Sequence, residues 1–294
     1  MIAADWFVLG APWDSSGTGR GEQQAPAALR NAGLAALASQ DVGDSATTIT
    51  STDRDPASGV RALPDTVRAA RRLADRLGTA MKELPNRRPL VVGGDCSILL
   101  GIVPALRRRG PLGLWFVDGH PDFLDGAASE TGETADMELA ILTGSGATAL
   151  IELSPSAPMV PAHQVVLLGY RSRNLDDDAA SEVARVPPQL PRVAADALTS
   201  DPASAGQRAA GWLGRVVERA WLHLDLDVLD PSVLPAVTYP QPGGPNWDQL
   251  ALALKPLAQS PQLIGVSVAD FRADLDPTGG LAAHVTALLS GVLP

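Results

Sequence analysis

Val117-Asp118-Gly119-His120-Pro121-Asp122 is the stretch of this 294-residue chain that says most about its fold. It ends an apolar run, and a second stretch, His223-Leu224-Asp225-Leu226-Asp227-Val228-Leu229-Asp230-Pro231, ends another apolar run in the same way. Such runs are typical of strands that are buried on both faces of a sheet. Because residues two apart in an extended segment point to the same side, each stretch predicts a strand end that presents several ionisable side chains together.

Apolar runs and helical patterns alternate along the rest of the chain. Strands are expected at residues 6–10, 89–92, 114–117, 165–168, 220–226 and 263–268. Helices are expected at residues 67–84, 201–220, 246–259 and 281–293. This alternation predicts an α/β fold, with a mainly parallel sheet that carries helices on both faces.

Composition and charge argue against several function classes. The chain is 45% hydrophobic, has a formal net charge of −10 and contains one cysteine. Neither nucleic acid nor an anionic membrane is expected as the partner of so acidic a chain. No apolar stretch approaches the roughly 18 residues of a membrane helix. The N-terminus, with Asp5 and no basic flank, does not resemble a signal peptide. A cytoplasmic protein is therefore expected.

The two strand ends supply a candidate metal site of five side chains: Asp118, His120, Asp122, Asp225 and Asp227. Oxygen ligands with one nitrogen suit Mn²⁺, and Fe²⁺, Co²⁺, Ni²⁺ and Zn²⁺ also accept such a set. Five groups exceed the need of one divalent cation, which favours a pair of ions that share carboxylates. A single strand-end aspartate is more often a helix cap. Several of them at one edge would repel strongly without a cation.

Cys96 lies in Gly93-Gly94-Asp95-Cys96-Ser97, directly after a predicted strand. The glycines favour a tight turn at the carboxyl edge, where ligands bind in open parallel sheets. A free cysteine is most often a small buried apolar residue. Its thiolate is alternatively a metal ligand or a nucleophile, and the residue alone leaves these roles open.

Three motifs together resemble those of the ureohydrolase family, which includes arginase, agmatinase and formimidoylglutamase. The family's Gly-Gly-Asp-His-Ser, Asp-Ala-His-x-Asp and Asp-x-Asp-x-x-Asp-Pro correspond to residues 93–97, 118–122 and 225–231. The resemblance implies one domain over residues 1–294, with a three-layer α/β/α fold and a binuclear manganese centre. It implies hydrolysis of a guanidino or amidino compound to an amine and urea, or to an amide. It also implies a homo-oligomer, either a trimer or a hexamer.

The resemblance assigns roles to individual residues. The metal ligands would be Cys96, Asp118, Asp122 and Asp225 for one ion, and Asp118, His120, Asp225 and Asp227 for the other. Asp118 and Asp225 would then bridge the two ions. Asp122 and Asp270 would be catalytic residues, and the substrate contacts would be Thr131, Asn174 and again Asp270.

Four positions depart from the arginase pattern. The replacements are Cys96 for a metal-binding histidine, Ala135 for a proton-shuttling histidine, Leu124 for an asparagine that contacts the substrate carboxylate, and Asp270 for a glutamate. A further departure accompanies the one at Leu124, because Asn174 stands in place of an acid that contacts the substrate α-amino group. Glu133 and Asp136 are the nearby candidates to assist the leaving amine. Arg171 and Arg173 are candidates to meet an acidic group of a different substrate.

The sequence therefore predicts a binuclear-metal amidinohydrolase whose substrate is not free L-arginine. An N-hydroxylated or otherwise modified guanidine would suit the loss of the shuttle at Ala135, because its leaving group is less basic. The alternative is a family member that has lost catalysis and serves as a binding or structural subunit. A nucleotide-binding fold is disfavoured because no Gly-x-Gly-x-x-Gly turn follows the first strand.

Overall fold

A single sheet of eight parallel strands crosses the part of the chain that the computed structural model describes, residues 6–294. The strands are β1 (Trp6–Ala11), β2 (Gln40–Asp44), β3 (Arg88–Gly93), β4 (Gly113–Val117), β5 (Val165–Leu168), β6 (Arg192–Val193), β7 (Ala220–Asp225) and β8 (Leu263–Ala269). Their order is β2-β1-β3-β8-β7-β4-β5-β6. The four central strands, β3, β8, β7 and β4, are those that lead into the predicted ligand motifs.

Helices cover both faces of this sheet. They are α1 (Ala25–Asn31), α2 (Leu63–Glu83), α3 (Leu99–Arg107), α4 (Glu138–Leu142), α5 (Thr148–Ile151), α6 (Asp177–Arg185), α7 (Ala195–Ser200), α8 (Pro202–Leu213), α9 (Trp247–Ala258) and α10 (Gly280–Val292). Strand side chains alternate between two apolar clusters, so that Phe7 and Leu9 belong to one cluster and Trp6 and Val8 to the other. The predicted three-layer α/β/α fold is confirmed.

The first cluster packs α2 and α3 on one face, and the second packs α8, α9 and α10 on the other. In α2, Leu73 and Leu77 lie one turn apart on the buried side, while Arg71 and Arg72 are exposed. This amphipathic spacing explains why α2 is recognisable from its sequence.

The boundaries differ from the sequence expectation in a few places. All six predicted strands are present, but β2 and β6 were not expected, because β2 is largely exposed and β6 has two residues. The predicted helix at 201–220 is wrong beyond Leu213, where α8 ends and the chain turns toward β7. Helix α3 lacks a polar face before Arg107 and contains Pro104, so it has no periodic signal.

None of the helices within residues 6–294 is both long enough and apolar enough to cross a bilayer. The expectation for the N-terminal residues 1–5, that they do not belong to a signal peptide, lies outside the described residues.

Candidate active site

Strand register brings the candidate ligands to one edge of the sheet. Val117 of β4 is level with Leu224 of β7, and Leu224 is level with Val268 of β8. The residues that follow these positions, Asp118 and Asp225 among them, therefore emerge at the same height. The side chains that follow these strands converge because parallel strands end at the same edge, and no long loop is needed to bring them together.

Hydrogen bonds lock the two aspartate motifs together. The Gly119 N–H donates to Asp227 Oδ1 at 3.0 Å, and His120 Nδ1 lies 2.7 Å from Asp227 Oδ2. The Asp227 N–H donates to Asp225 Oδ1 at 2.8 Å. Burial lowers the pKa of His120, but the Asp227 carboxylate outweighs this effect and raises it overall. His120 and Asp227 therefore attract each other across the two motifs.

The carboxyl groups of Asp118, Asp122 and Asp225 lie close together, and too few hydrogen-bond donors surround them. Burial and the charges of neighbouring carboxylates raise the pKa values of Asp118, Asp122 and Asp225 well above their usual range. Asp118 Oδ2 is buried and has no hydrogen-bond partner among residues 6–294. Such orphaned buried oxygens are what a bound cation would satisfy.

Five groups of side chains place their ligand atoms within 4.8 Å of one another in the described chain. They are Cys96 with Asp122 and Glu138; Asp118 with His120 and Asp227; Asp118 with His223 and Asp225; Asp225 with Asp227 and Asp270; and Asp14 with Glu22 and Asp95. The first four groups lie at the strand ends, and Asp118 and Asp225 each belong to two of them. The donor chemistry thus fits a pair of divalent ions with shared carboxylates.

Cys96 is held at this edge by the turn after β3. A Cβ atom on Gly94 would lie 1.5 Å from the carbonyl oxygen of Trp13, so only glycine fits there. The Cys96 side chain is 5% exposed, and its Sγ donates to the carbonyl oxygen of Ala135 at 3.2 Å. Burial, together with nearby carboxylates, raises the pKa of the Cys96 thiol well above its usual value. The thiol therefore needs a cation to become a thiolate.

Asp122 and Asp270 both have left-handed backbone conformations, with φ of 48° and 62°. Non-glycine residues in this region are strained and concentrate at functional sites. The Asp270 N–H donates to the Gly94 carbonyl at 2.8 Å, and its carboxylate accepts from the Thr238 N–H at 3.0 Å. Arg272 pairs with Asp274 at 2.7 Å and leaves the Asp270 carboxylate unpaired with an arginine.

A cavity of about 540 Å³ opens over these residues. Thr131, Leu124 and Ala135 line it, and its acidic residues outnumber its basic ones. Arg20 pairs with Glu133 at 2.8 Å on one side of the cavity. Glu22 accepts a hydrogen bond from the Thr238 hydroxyl, and burial raises the pKa of Glu22 to about 7. The cavity is therefore suited to a cationic ligand.

Three predicted residues lie elsewhere. Asn174 is exposed and does not line the cavity. Arg173 is exposed and pairs with Asp196 at 2.5 Å. Arg171 is 6% exposed, and its guanidinium group donates to several backbone carbonyls, including those of Gly169 and Val228 at 3.0 Å. Neither Arg171 nor Arg173 lines the cavity, and both guanidinium groups are engaged by other groups of the protein, so contact of either with a substrate acid stays a prediction.

Sequence reasoning missed two buried residues of the site, His223 and Glu138. The pattern of alternate residues could have found His223, which stands two residues before Asp225 on β7. Ser267 Oγ accepts from Trp221 Nε1 at 2.8 Å and lies 2.7 Å from His223 Nδ1. Burial lowers the pKa of His223 to about 3, so this imidazole is neutral. Glu138 had only one signal, an acidic residue heading an otherwise apolar helix.

Comparisons with known proteins agree with this geometry. Residues 4–291 match the model of the arginase family. The chain is 29% identical to an arginase of Brevibacillus brevis, over 97% of this chain and 96% of that protein.

Solved structures give the same picture. The arginase of Bacillus caldovelox superposes with a TM-score of 0.84 at 26% identity, over 97% of each chain. A formimidoylglutamase of Bacillus subtilis superposes with a TM-score of 0.74 at 19% identity, over 98% of this chain and 86% of that chain, which supports the fold alone.

Proposed function

Because this chain belongs to the arginase family, we propose that it is a binuclear-metal amidinohydrolase that cleaves a C–N bond of a guanidino or amidino compound. The observation that carries the proposal is the convergence of buried carboxylates and His120 at the sheet edge, where Asp118 Oδ2 has no hydrogen-bond partner within residues 6–294. A relic without metal would have no reason to keep so many mutually repelling groups.

The proposed ligands follow the motif positions. Cys96, Asp118, Asp122 and Asp225 would hold one ion, and Asp118, His120, Asp225 and Asp227 would hold the other. The ions are expected to be Mn²⁺, with a softer metal favoured wherever the Cys96 thiolate binds. When bound, they would supply hydroxide at neutral pH. A homo-oligomer, either a trimer or a hexamer, and a cytoplasmic location remain predictions.

Asp270 is proposed to hold the cationic end of the substrate. Its carboxylate lies at the cavity and is kept in place by the Thr238 N–H, and the neighbouring Arg272 is paired with Asp274. A carboxylate in this position would orient a guanidinium or amidinium carbon above the metal pair. Thr131, whose hydroxyl donates to Asp136 Oδ2 at 2.9 Å, would contact substrate from the opposite loop.

Proton transfer to the leaving amine is proposed to involve Asp136 rather than Glu133. Glu133 is engaged by Arg20. Asp136 lines the cavity beside Ala135, and its Oδ1 is buried without a hydrogen-bond partner within residues 6–294. Burial raises the pKa of Asp136, which moves this carboxyl toward the range of a general acid.

The substrate is proposed to be something other than free L-arginine. Leu124 offers no hydrogen-bond donor to an α-carboxylate, and the nearby acid Glu130 would repel one. A guanidine without a free carboxylate is therefore favoured. An N-hydroxylated or otherwise modified guanidine would also ease departure of the amine where position 135 provides no imidazole.

The test is a substrate panel on metal-loaded protein. Arginine, agmatine, simple alkylguanidines, N-hydroxyguanidines and formimidoyl compounds would each be incubated with protein loaded with Mn²⁺, Co²⁺ or Zn²⁺. Release of urea or amide from at least one compound other than arginine is expected. Protein that holds two ions but releases nothing from any compound would contradict the proposal and would favour a non-catalytic role.

A further inference from the structure

Glu138, the first residue of α4, is a buried acid that none of the family motifs explains. Its side chain is 0% exposed, and neither carboxylate oxygen has a hydrogen-bond partner among residues 6–294. An ionised carboxylate is almost never buried in this way unless it is paired with a cation or coordinates a metal. The residue therefore requires an explanation in terms of what it faces.

Glu138 faces Cys96 and Asp122. One ligand atom from each of these three side chains lies within 4.8 Å of the other two, and all three side chains are buried. Neither oxygen of Glu138 accepts a hydrogen bond from an arginine, lysine or histidine of residues 6–294. The three groups thus share a small space that contains sulfur and oxygen donors and no protein cation.

The backbone holds these three residues in this arrangement. The Cys96 thiol donates to the carbonyl of Ala135, three residues before Glu138, at 3.2 Å. The Ala140 N–H donates to the carbonyl of Asp122 at 3.2 Å. The segment that carries Glu138 is therefore fastened to both of its neighbours, and the convergence does not depend on one flexible side chain.

We propose that Glu138 is a ligand of the ion on the Cys96 side, in addition to the ligands that the motifs imply. This inference rests on the proposed function, because it assumes that an ion occupies that side. The Cys96 thiolate and the carboxylates of Asp122 and Glu138 would then face the ion from this side, where the motifs alone imply only Cys96 and Asp122. The chain would hold this ion more tightly than its motifs predict and would accept Zn²⁺, Co²⁺ or Fe²⁺ there.

Cobalt titration of the metal-depleted full-length protein tests the proposal. Charge transfer from thiolate to Co²⁺ gives an absorption band that reports only the ion bound by Cys96. Wild type is expected to take up two ions, one of which produces the band. Glu138→Gln, which keeps the shape and removes the charge, is expected to weaken the band-producing ion by about tenfold to a hundredfold and to leave the other ion unchanged.

Glu133→Gln is the matched control, because it removes another buried carboxylate from the same loop, one that is paired with Arg20. It is expected to bind both ions as wild type does. Equal weakening by Glu133→Gln and Glu138→Gln would overturn the inference, because general charge loss would then explain the effect. Unchanged cobalt binding by Glu138→Gln would also overturn it, while two bound ions in wild type would leave the proposed function standing.

A second measurement does not depend on any variant folding. A crystal structure of the wild-type protein with Zn²⁺ is expected to show a Glu138 oxygen about 2.0–2.2 Å from the ion beside Cys96. If an ion is bound there and Glu138 lies outside coordination distance, the inference about Glu138 is overturned but the proposed function is not. Wild-type protein that binds no metal at all would overturn both the inference and the proposed function.

Discussion

The strand-end region and the loop that faces it form opposite walls of the same cavity, and they differ in what fixes their residues. At the strand ends, Asp118 and Asp225 are placed by the register of β4 and β7. In the facing loop, residues 124–138, no strand fixes the side chains, and Leu124 and Ala135 stand where arginases have polar residues. Parallel register fixes the proposed metal ligands, whereas a loop on a rigid scaffold is free to vary and so to favour the different substrate that we propose.

The largest effect should come from the strand-end wall. Asp225→Asn removes a carboxylate that both proposed ions share, and activity is expected to fall by at least about a thousandfold, because a catalytic metal supplies several kcal/mol. Metal content, measured by elemental analysis, should fall with it. Asp230→Asn is the control, since Asp230 belongs to the same motif but only accepts hydrogen bonds from Ser232 and Gly243. A near-normal metal content in the Asp225→Asn variant would contradict the view that the strand-end wall binds the metal.

Cys96 stands where the two walls meet, and its replacement should have a smaller effect. Cys96→Ser is expected to weaken one ion by about tenfold to a hundredfold. Cys96→His is expected to keep or raise metal occupancy, because imidazole is a good ligand for the same ions. The measurement is metal stoichiometry after dialysis of all three proteins. Equal occupancy in wild type, Ser and His forms would refute a ligand role for Cys96.

Glu22, in the segment between β1 and α1, should tune substrate binding through pH. Its pKa is raised to about 7, mainly by burial, so it gains negative charge as the pH rises through 7. The KM for a cationic substrate is then expected to fall by about fivefold between pH 6 and 8, since such a charge pair gains about 1 kcal/mol even in water. Glu22→Gln should remove this change.

The raised pKa of Glu22 also affects the free energy of unfolding, which should fall as the pH rises. The pKa of Glu22 is higher in the folded protein than in the unfolded chain, so its neutral form contributes stability at low pH. That contribution is lost as the pH rises through about 7. Urea unfolding of metal-free protein at pH 5 and 8 should show a smaller pH effect in Glu22→Gln than in wild type. An identical pH effect in both proteins would count against the assignment.

Asn174→Ala should have the smallest effect. Asn174 is exposed and lies outside the cavity, so the change in KM is expected to stay within about twofold, as for most surface substitutions. Thr131→Ala, which changes the cavity lining, should raise KM more. A large KM increase in Asn174→Ala alone would restore the role that its sequence position implies and would show that its loop closes over the substrate.

Sequence patterns were informative where apolar residues contrast with polar ones, either along the chain, as in the strand runs, or around a helix, as in α2. The apolar runs located all six central and inner strands, and the i, i+2 spacing located Asp118, His120, Asp225 and Asp227. The exposed edge strand β2 and the fully buried helix α3 have no such contrast, so neither produced a signal.

Contacts between distant segments could not be predicted in this way. Glu138 lies 42 residues from Cys96 in the sequence, and only the folded loop brings them together. Arg171 was a candidate to meet an acidic group of a substrate that differs from arginine. In the structure its donors meet backbone carbonyls instead. Neither outcome follows from spacing, because both depend on how loops pack against one another.

Arg171 has a consequence for anyone who would redesign this cavity. Its guanidinium group donates to the carbonyls of Asp227, Leu229 and Gln241. It therefore connects the end of β5 to two other stretches of backbone, one at residues 227–229 and one at residue 241. A transplanted 226–242 loop from a relative would lose these anchors unless the β5 end travelled with it. In a loop exchange, residues 169–171 and 226–242 should therefore be replaced together.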